Sequence, residues 1–180
     1  MAVWELFPIR PFFNTTMNII IRCAARSDIS AILQMMKDFA DHVSLGEYLT
    51  LSETDLADAV FGKDAFVRLL VASADGELAG YAIFYPHFSS FRGERGFFLE
   101  DIFIKQSHRG FGAGLRLLKE IAREADRIGF NRIDFQVLKD NYGALSFYKK
   151  LGAETNEGEM HFKFAGEAFA GLVRDHPDLG

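Results

Sequence analysis

The sequence predicts a single mixed α/β domain of the α+β type, with helices on both faces of a mostly antiparallel central sheet of about six to seven strands. Stretches typical of strands and helices follow one another in the order β-α-α-β-β-β-α-β-α-β. The turn signal "ADGE" joins two of the strands and indicates an antiparallel hairpin. The chain has 180 residues, of which 49% are hydrophobic and 25% charged, and this suits one domain with a real core.

The first elements are a strand and two helices. "NIIIR", residues 18–22, is rich in β-branched side chains and predicts a strand. Apolar residues at helical spacing follow, and Ser27 or Asp28 is the expected cap of this helix. Ser52 with Asp55 three residues later matches a capping box and predicts a second helix.

Three strands come next. Residues 66–73 and 77–88 form the predicted hairpin around "ADGE". Residues 97–106, "FFLEDIFIKQ", are apolar apart from Glu100 and Asp101 near the middle, and this predicts an interior strand.

The second half begins with a glycine-rich turn and an amphipathic helix that reaches about Ile128, with Gly129 as its stop. A strand, a short helix, a last strand and a short tail helix with a frayed end are then predicted over residues 132–138, 141–152, 160–164 and 166–180. We expect one domain over 18–180, preceded by an extension of unassigned role over 1–17. Whether Met17 is the true start stays open.

Bulk composition argues against several classes of partner. The net charge of −5 and the pI near 5.5 disfavour nucleic acid and anionic membranes. Cys23 is the single cysteine, which excludes an internal disulfide and is typical of a reducing cytoplasm. No Cys/His cluster has the spacing of a zinc site, so we expect no metal.

The turn "SHRGFGAGLRLLKEI", residues 107–121, is the strongest signal of chemistry. Exposed amides and the helix dipole favour an anion at such a turn. A Walker A loop is excluded because Leu115 and Arg116 follow Gly114, and a dinucleotide fingerprint is disfavoured because the glycines read G-x-G-x-G. A tight turn that only packs helix on strand is the alternative.

Arg109, Gly112 and Gly114 fit R-x-x-G-x-G, and in this respect the chain resembles the GNAT superfamily of acetyl-CoA-dependent N-acetyltransferases. "FFLEDIFIKQSHRGFGAGLRLLKEIA" and "NYGALSFYKKLGA" resemble its diamine (spermidine/spermine-type) branch, with similarity over roughly residues 18–165. The resemblance implies acetyl-CoA as cosubstrate, a small primary amine as acceptor, direct attack in a ternary complex, no metal, and a homodimer.

The resemblance also implies which residues hold acetyl-CoA. The glycine turn would grip the pyrophosphate through its amides, with Arg109 beside it, and the strand before it would bond the pantetheine arm through its backbone. The implied cofactor-binding residues are Ile102, Phe103, Ile104, Arg109, Gly110, Phe111, Gly112, Ala113, Gly114, Leu115, Asn141, Ala144 and Lys150. Asn141 could instead be a helix cap, and Lys150 could be merely solvated.

Three side chains are candidates for the chemistry. Glu100 would bind the acceptor ammonium and take its proton, directly or through a water. A base is needed because an alkyl amine, with an ordinary pKa of about 10.4, is protonated at neutral pH and has no lone pair. A structural ion pair is the alternative. Asp101 would point to the other face of a regular strand, although a bulge would bring both acids together, and the resemblance implies that both bind substrate. Tyr148 would protonate the departing sulfur, or else simply pack.

Departures from the diamine pattern limit the acceptor prediction. The acidic residue that the resemblance implies at the end of the first helix is replaced by Val43, with Asp38, Asp41 and Glu47 only nearby. Glu159 or Met160 replaces a tryptophan that the family often carries before its last strand. Arg92 and Arg95 would repel a long polycation if they faced the cleft. A protein N-terminus, a lysine side chain or an aminoglycoside therefore stays open as acceptor, and so does a non-catalytic CoA sensor.

Overall fold

The computed structural model describes residues 17–42, 46–156, 158 and 162–174, apart from the side chain of His42. The chain divides into two compact units, one running to Gln136 and the other starting at Val137. The sheet lies in the first unit. Residues 1–16 of the predicted extension lie outside the described residues, whereas Met17 is partly buried against the core of the first unit.

Five strands form the sheet, in the spatial order of the chain. The first three pairings are antiparallel and the last is parallel, which confirms the mostly antiparallel prediction. The strands are β1 Ile19–Cys23, β2 Arg68–Ala74, β3 Glu77–Ser89, β4 Glu94–Ile104 and β5 Arg132–Phe135.

The strand count among the described residues is lower than the predicted six to seven. Of the predicted last strand, residues 160 and 161 lie outside the described part, and Phe162–Phe164 are not in a strand. "MHFKF" alternates apolar and polar residues, but a strand also needs a neighbour that supplies hydrogen bonds, and alternation alone does not provide one.

The helices begin close to their predicted positions. They are α1 Ile29–His42, α2 Glu53–Phe61, α3 Ala113–Arg127, α4 Tyr142–Lys150 and α5 Gly166–Val173. The Ser52–Asp55 capping box is present, with Ser52 Oγ accepting from the Asp55 amide and the Asp55 carboxylate accepting from the Ser52 amide, each at 3.1 Å. α3 ends before Gly129, whose φ of 75° is the left-handed conformation expected of a helix stop.

Helices cover both faces of the sheet in the first unit, as predicted. α3 packs Leu117 and Ile121 against one face, where Phe84 and Phe97 are buried. α1 and α2 pack against the other face, around the fully buried Tyr81. We call these the α3 face and the α1 face.

A bulge interrupts β4 at Glu100. Ile83 of β3 pairs with Asp101, and the next residue, Phe84, pairs with Leu99, so Glu100 is the extra residue. Such a bulge changes which face the following side chains point to. Phe97 and Leu99 accordingly lie in the α3-face core, whereas Phe103 lies in the α1-face core.

Candidate active site

The bulge places Glu100 and Asp101 on the same face of the sheet. Glu100 contacts Tyr85, and Asp101 lies two residues before Phe103, so both carboxyls point to the α1 face. In a regular strand, adjacent side chains would point to opposite faces. The alternative arrangement foreseen from the sequence, with both acids together, is therefore the one that the strand adopts.

Glu100 is exposed and is held by an aromatic neighbour. The Tyr85 hydroxyl donates a hydrogen bond to Glu100 Oε2 at 3.0 Å. The Tyr85 ring stacks on Phe98 with centroids 5.5 Å apart, and Phe66 meets it edge-on at 6.1 Å. Burial of the phenol and its bond to Glu100 raise the pKa of Tyr85 to about 12, so it stays a donor at neutral pH.

Asp101 lies deeper in the protein. Burial, followed by repulsion from the Glu100 charge, raises the pKa of Asp101 to about 6. Its diagonal neighbour on β3 is Tyr81, whose pKa is raised by burial and by the Asp101 charge. Tyr81 is fully buried, and its hydroxyl has no hydrogen-bond partner among the residues that the structure describes.

β4 continues beyond the end of its outer neighbour. The parallel pairing with β5 ends where Leu99 meets Phe135, directly before the bulge. Five residues of β4, from Glu100 to Ile104, extend past that point. The stretch contains Ile102, Phe103 and Ile104, to which the sequence assigns backbone bonds with an extended arm, and a strand edge is suited to that role.

The glycine turn lies between the end of β4 and the start of α3. Gly110 and Gly112 have φ of 88° and 83°, which residues with a Cβ rarely adopt. Gly112 is the N-cap of α3 and provides no side chain to its amides, and the first turn carries no acidic residue. The Arg116 amide donates to the Gly112 carbonyl, so the amides of residues 113–115 precede the helical bonding pattern. The turn thus has the polarity of an anion site.

The remaining turn residues are arranged around this backbone. Arg109 Nε donates to the Ile104 carbonyl at 2.9 Å, and its guanidinium lies 6.0 Å from the centre of the Phe103 ring. Phe111 is exposed on the turn, whereas Ala113 is buried. Arg109 therefore ties the turn to the end of β4 while keeping a positive charge beside the glycines.

The second unit contains the other predicted residues, on α4. Tyr148 is half-buried, its ring lies 5.2 Å from that of Phe147, and burial raises the pKa of its phenol. Asn141 caps α4, because its side-chain oxygen accepts from the Ala144 amide at 3.1 Å. Lys150 is exposed in the last turn.

The structure describes some of the residues that depart from the diamine pattern. Arg95 lies over the Phe130 ring at 5.1 Å, which places it on the α3 face, opposite the two acids. Arg92 is exposed in the turn between β3 and β4. Val43, Glu159 and Met160 lie outside the described residues.

The acids near the predicted first-helix site stay at the surface. Asp38 and Asp41 are exposed on α1, and Glu47 is exposed in the short 3-10 helix Gly46–Tyr48 that follows.

Sequence reasoning missed Tyr81 and Tyr85. Both lie on β3, two strand positions from Ile83, and so share the α1 face with the acid pair. The spacing of the two tyrosines was readable from the sequence. Their pairing with Glu100 and Asp101 was not, because it depends on the hairpin register and on the bulge.

Two kinds of feature are absent from the part of the chain that the structure describes. No group of three metal-ligating side chains occurs there. Within the same residues, no helix has both the length and the apolar character needed to cross a membrane.

Comparison with known proteins agrees with this geometry. The model of the acetyltransferase (GNAT) family matches residues 31–153. The chain is 34% identical over 166 residues to a thialysine N-epsilon-acetyltransferase from Bos taurus, covering 86% of this chain and 97% of that protein. A spermidine/spermine N(1)-acetyltransferase-like protein from Homo sapiens is 28% identical over 154 residues, covering 80% of this chain and 22% of that protein.

Solved structures show the same fold. An integron cassette protein from the mobile metagenome of V. cholerae superposes with a TM-score of 0.71 at 23% identity, over 88% of this chain and 99% of that one. The family model covers more than half of the chain, and the bovine relative matches most of it. This chain belongs to the GNAT family of acetyltransferases.

Proposed function

We propose that this enzyme acetylates the primary amine of a small diamine-, polyamine- or thialysine-like molecule by direct attack within a ternary complex. Membership of the family makes the chain an acetyl-CoA-dependent N-acetyltransferase. The observation that carries the acceptor proposal is the bulge in β4, which turns two adjacent carboxyls to one face. A small cationic amine is the complement of such a pair.

The donor site is proposed on the turn and on the β4 extension. The amides from Gly110 to Leu115 would hold the pyrophosphate, with Arg109 supplying a positive charge, and this fits the left-handed glycines and uncapped start of α3. The backbone of Ile102–Ile104 would bond the pantetheine arm, and an amide there would polarise the thioester. Bound acetyl-CoA supplies the activated acetyl group.

The family resemblance assigns further donor-binding roles to residues of α4. Tyr148 would give its proton to the departing sulfur, which suits a phenol that is held protonated. Asn141, Ala144 and Lys150 are proposed to contact the CoA arm and its phosphate. The cap that Asn141 forms with Ala144 uses the side-chain oxygen and so leaves the Asn141 amide nitrogen as the group that can donate.

Two observations favour a cationic alkylamine as the acceptor. The Tyr85 ring, whose hydroxyl bonds Glu100, is flanked by the rings of Phe66 and Phe98, and aromatic rings suit an alkyl ammonium. Arg95 is turned to the opposite face, which removes one predicted source of repulsion. The relatives named as thialysine acetyltransferases point to the same class.

A thiol-release screen with acetyl-CoA tests the proposal. We expect turnover with diamines, polyamines or thialysine well above that with aminoglycosides or with amino acids that lack a side-chain amine, since only the former place a flexible alkyl ammonium on the acid pair. Reactions without amine give the background hydrolysis. Release with peptides alone would contradict a small-molecule acceptor.

Assembly and location stay predictions. The resemblance implies a homodimer, and the single cysteine suggests a cytoplasmic enzyme.

A further inference from the structure

Glu100 and Asp101 share a face of the sheet but differ in their surroundings. If the proposed amine acetylation holds, this difference gives the two carboxyls different roles in the reaction. We propose that Asp101 takes the proton from the acceptor ammonium, beside the buried Tyr81 on the α1 face, and that Glu100, held by Tyr85, binds the ammonium charge. The sequence alone assigns the proton to Glu100.

The position of Glu100 suits the binding of a cation. It is exposed on the bulge, where a charged acceptor arrives from water. One of its oxygens already accepts a hydrogen bond from the Tyr85 hydroxyl at 3.0 Å. The stack of Tyr85 on Phe98 fixes the donor ring, so the carboxylate is held in one place.

The surroundings of Asp101 suit a proton acceptor. A buried carboxylate is costly in its charged form, so gaining a proton relieves that cost. The neighbouring Glu100 charge adds repulsion that the same proton removes. The buried Tyr81 hydroxyl is the second observation, because a polar group without a described partner beside this carboxyl can hydrogen-bond the amine or a water that relays its proton.

The other elements packed around Asp101 provide little opposing charge. α1 turns apolar side chains toward the sheet, among them Met35, Met36 and Phe39. Its charged residues Lys37, Asp38 and Asp41 are exposed. From the loop after β4, Arg109 lies over the Phe103 ring. Further along the same face, the charged or titratable groups His87, Glu94, Arg132 and Asp134 pair with one another. Among the described residues, Glu100 is therefore the charge that acts on the Asp101 carboxyl.

The reaction removes two protons from the acceptor nitrogen and adds one to the CoA sulfur. The ammonium R–NH₃⁺ gives one proton to the Asp101 carboxylate and becomes a neutral amine with a lone pair. Its nitrogen bonds the acetyl carbon, the carbon–sulfur bond breaks, and the sulfur keeps the electron pair. The sulfur takes a proton from Tyr148, the second proton of the nitrogen restores that phenol, and Asp101 then releases its own proton to water. The products are the amide, the CoA thiol and that one proton.

The test compares Asp101→Asn with Glu100→Gln, using the best amine of the screen. The rate constant kcat/KM for the amine is measured from pH 5 to 9, together with kcat and KM separately and the affinity for acetyl-CoA. Asp64→Asn, an exposed carboxyl in the turn after α2, is the matched acid-to-amide control and should behave as wild type.

We expect wild-type kcat/KM to rise with a midpoint near pH 6, following the carboxyl of Asp101. Asp101→Asn should lower kcat by about 10²–10⁴-fold and remove this rise, with unchanged acetyl-CoA affinity. Glu100→Gln should mainly raise KM for the amine. It should keep the rise but move it to lower pH, because a repelling charge next to Asp101 is gone.

Tyr81 acts through Asp101, so its test is the position of the same rise. Tyr81→Phe should move the midpoint to higher pH, because it removes the hydroxyl that is proposed to hold the water solvating the Asp101 carboxylate. Tyr48→Phe, on an exposed tyrosine, is the control. A midpoint unchanged in Tyr81→Phe would show that Tyr81 only packs.

The possible results distinguish a failure of this division of roles from a failure of the proposed function. If Glu100→Gln loses the rise while Asp101→Asn keeps it with turnover within a few-fold of wild type, the division proposed here is wrong. If Asp101→Asn does not fold, the Glu100→Gln and Tyr81→Phe midpoints still decide. A wild-type enzyme that releases no thiol with any amine overturns the proposed function instead.

Discussion

Two adjacent residues of similar chemistry acquire different properties in this protein. Glu100 is exposed and hydrogen-bonded to Tyr85, whereas Asp101 is half-buried and diagonal to Tyr81 across the β3–β4 pair. The difference comes from one extra residue in β4, which keeps both on the α1 face at different depths. Environment, not residue type, thus separates charge binding from proton transfer.

Tyr148→Phe tests the proposed acid at the same scale. Without the phenol proton the sulfur leaves as a thiolate, so we expect kcat to fall about 10²-fold with little change in acetyl-CoA affinity. Steady-state kinetics and calorimetric titration with acetyl-CoA measure the two quantities. Tyr142→Phe removes an exposed hydroxyl from the same helix and should change neither. An unchanged kcat in Tyr148→Phe would remove its assigned role.

At the scale of elements, the turn before α3 depends on backbone conformation. Gly112 has φ of 83° and caps the helix, while Gly129 has φ of 75° beyond the opposite end of the same helix. A Cβ atom added to either glycine would meet no described atom within 4 Å, so space is not what requires glycine at either place. The left-handed backbone requires it at both, but only the Gly112 end has the polarity for an anion.

The variants Gly112→Asp and Gly129→Asp test this difference between the two ends of α3. Both place an aspartate in a left-handed position, and each costs on the order of 1 kcal/mol of stability. Only Gly112→Asp adds a negative charge where the pyrophosphate is proposed, so we expect it alone to weaken acetyl-CoA binding by tenfold or more. Thermal-shift titration measures the binding. Equal affinities in the two variants would contradict the phosphate role of the turn.

At the scale of the whole molecule, Asp101 should cost stability. Its pKa is raised in the folded protein, so the protein is favoured when the carboxyl is protonated, and that contribution is lost as the pH rises through about 6. Asp101→Asn should therefore be more stable than wild type at pH 8, by roughly 1–3 kcal/mol, and the difference should shrink toward pH 4. Urea unfolding at several pH values measures it.

Asp28 provides a control with the opposite sign. The Arg22 guanidinium, which donates to Asp28 at 2.6 and 3.0 Å, lowers the pKa of that carboxyl. Its contribution is present above the unfolded pKa and is lost as the pH falls through the lower folded value. Asp28→Asn should thus be less stable than wild type at pH 8. An Asp101→Asn variant destabilised in the same way would show that Asp101 has a structural role.

The predictions that held from the sequence concern local signals. The capping box at Ser52, the glycine stop at Gly129 and the hairpin turn at Asp75 and Gly76 each depend on a few neighbouring residues. The predicted last strand at 160–164 did not hold where the structure describes it, because a strand needs a partner that its own residues do not specify.

Short motifs and periodicity are enough to predict the glycine turn, the order of most elements and the presence of an acid pair, since each of these is local in the chain. The same motifs carry the resemblance to the family. The tertiary structure was needed to show that both acids face one side, that Tyr85 holds one and Tyr81 lies by the other, and that Arg95 faces away. The physical reason is that strand register and a one-residue bulge set side-chain direction, and both depend on pairing between residues distant in the chain.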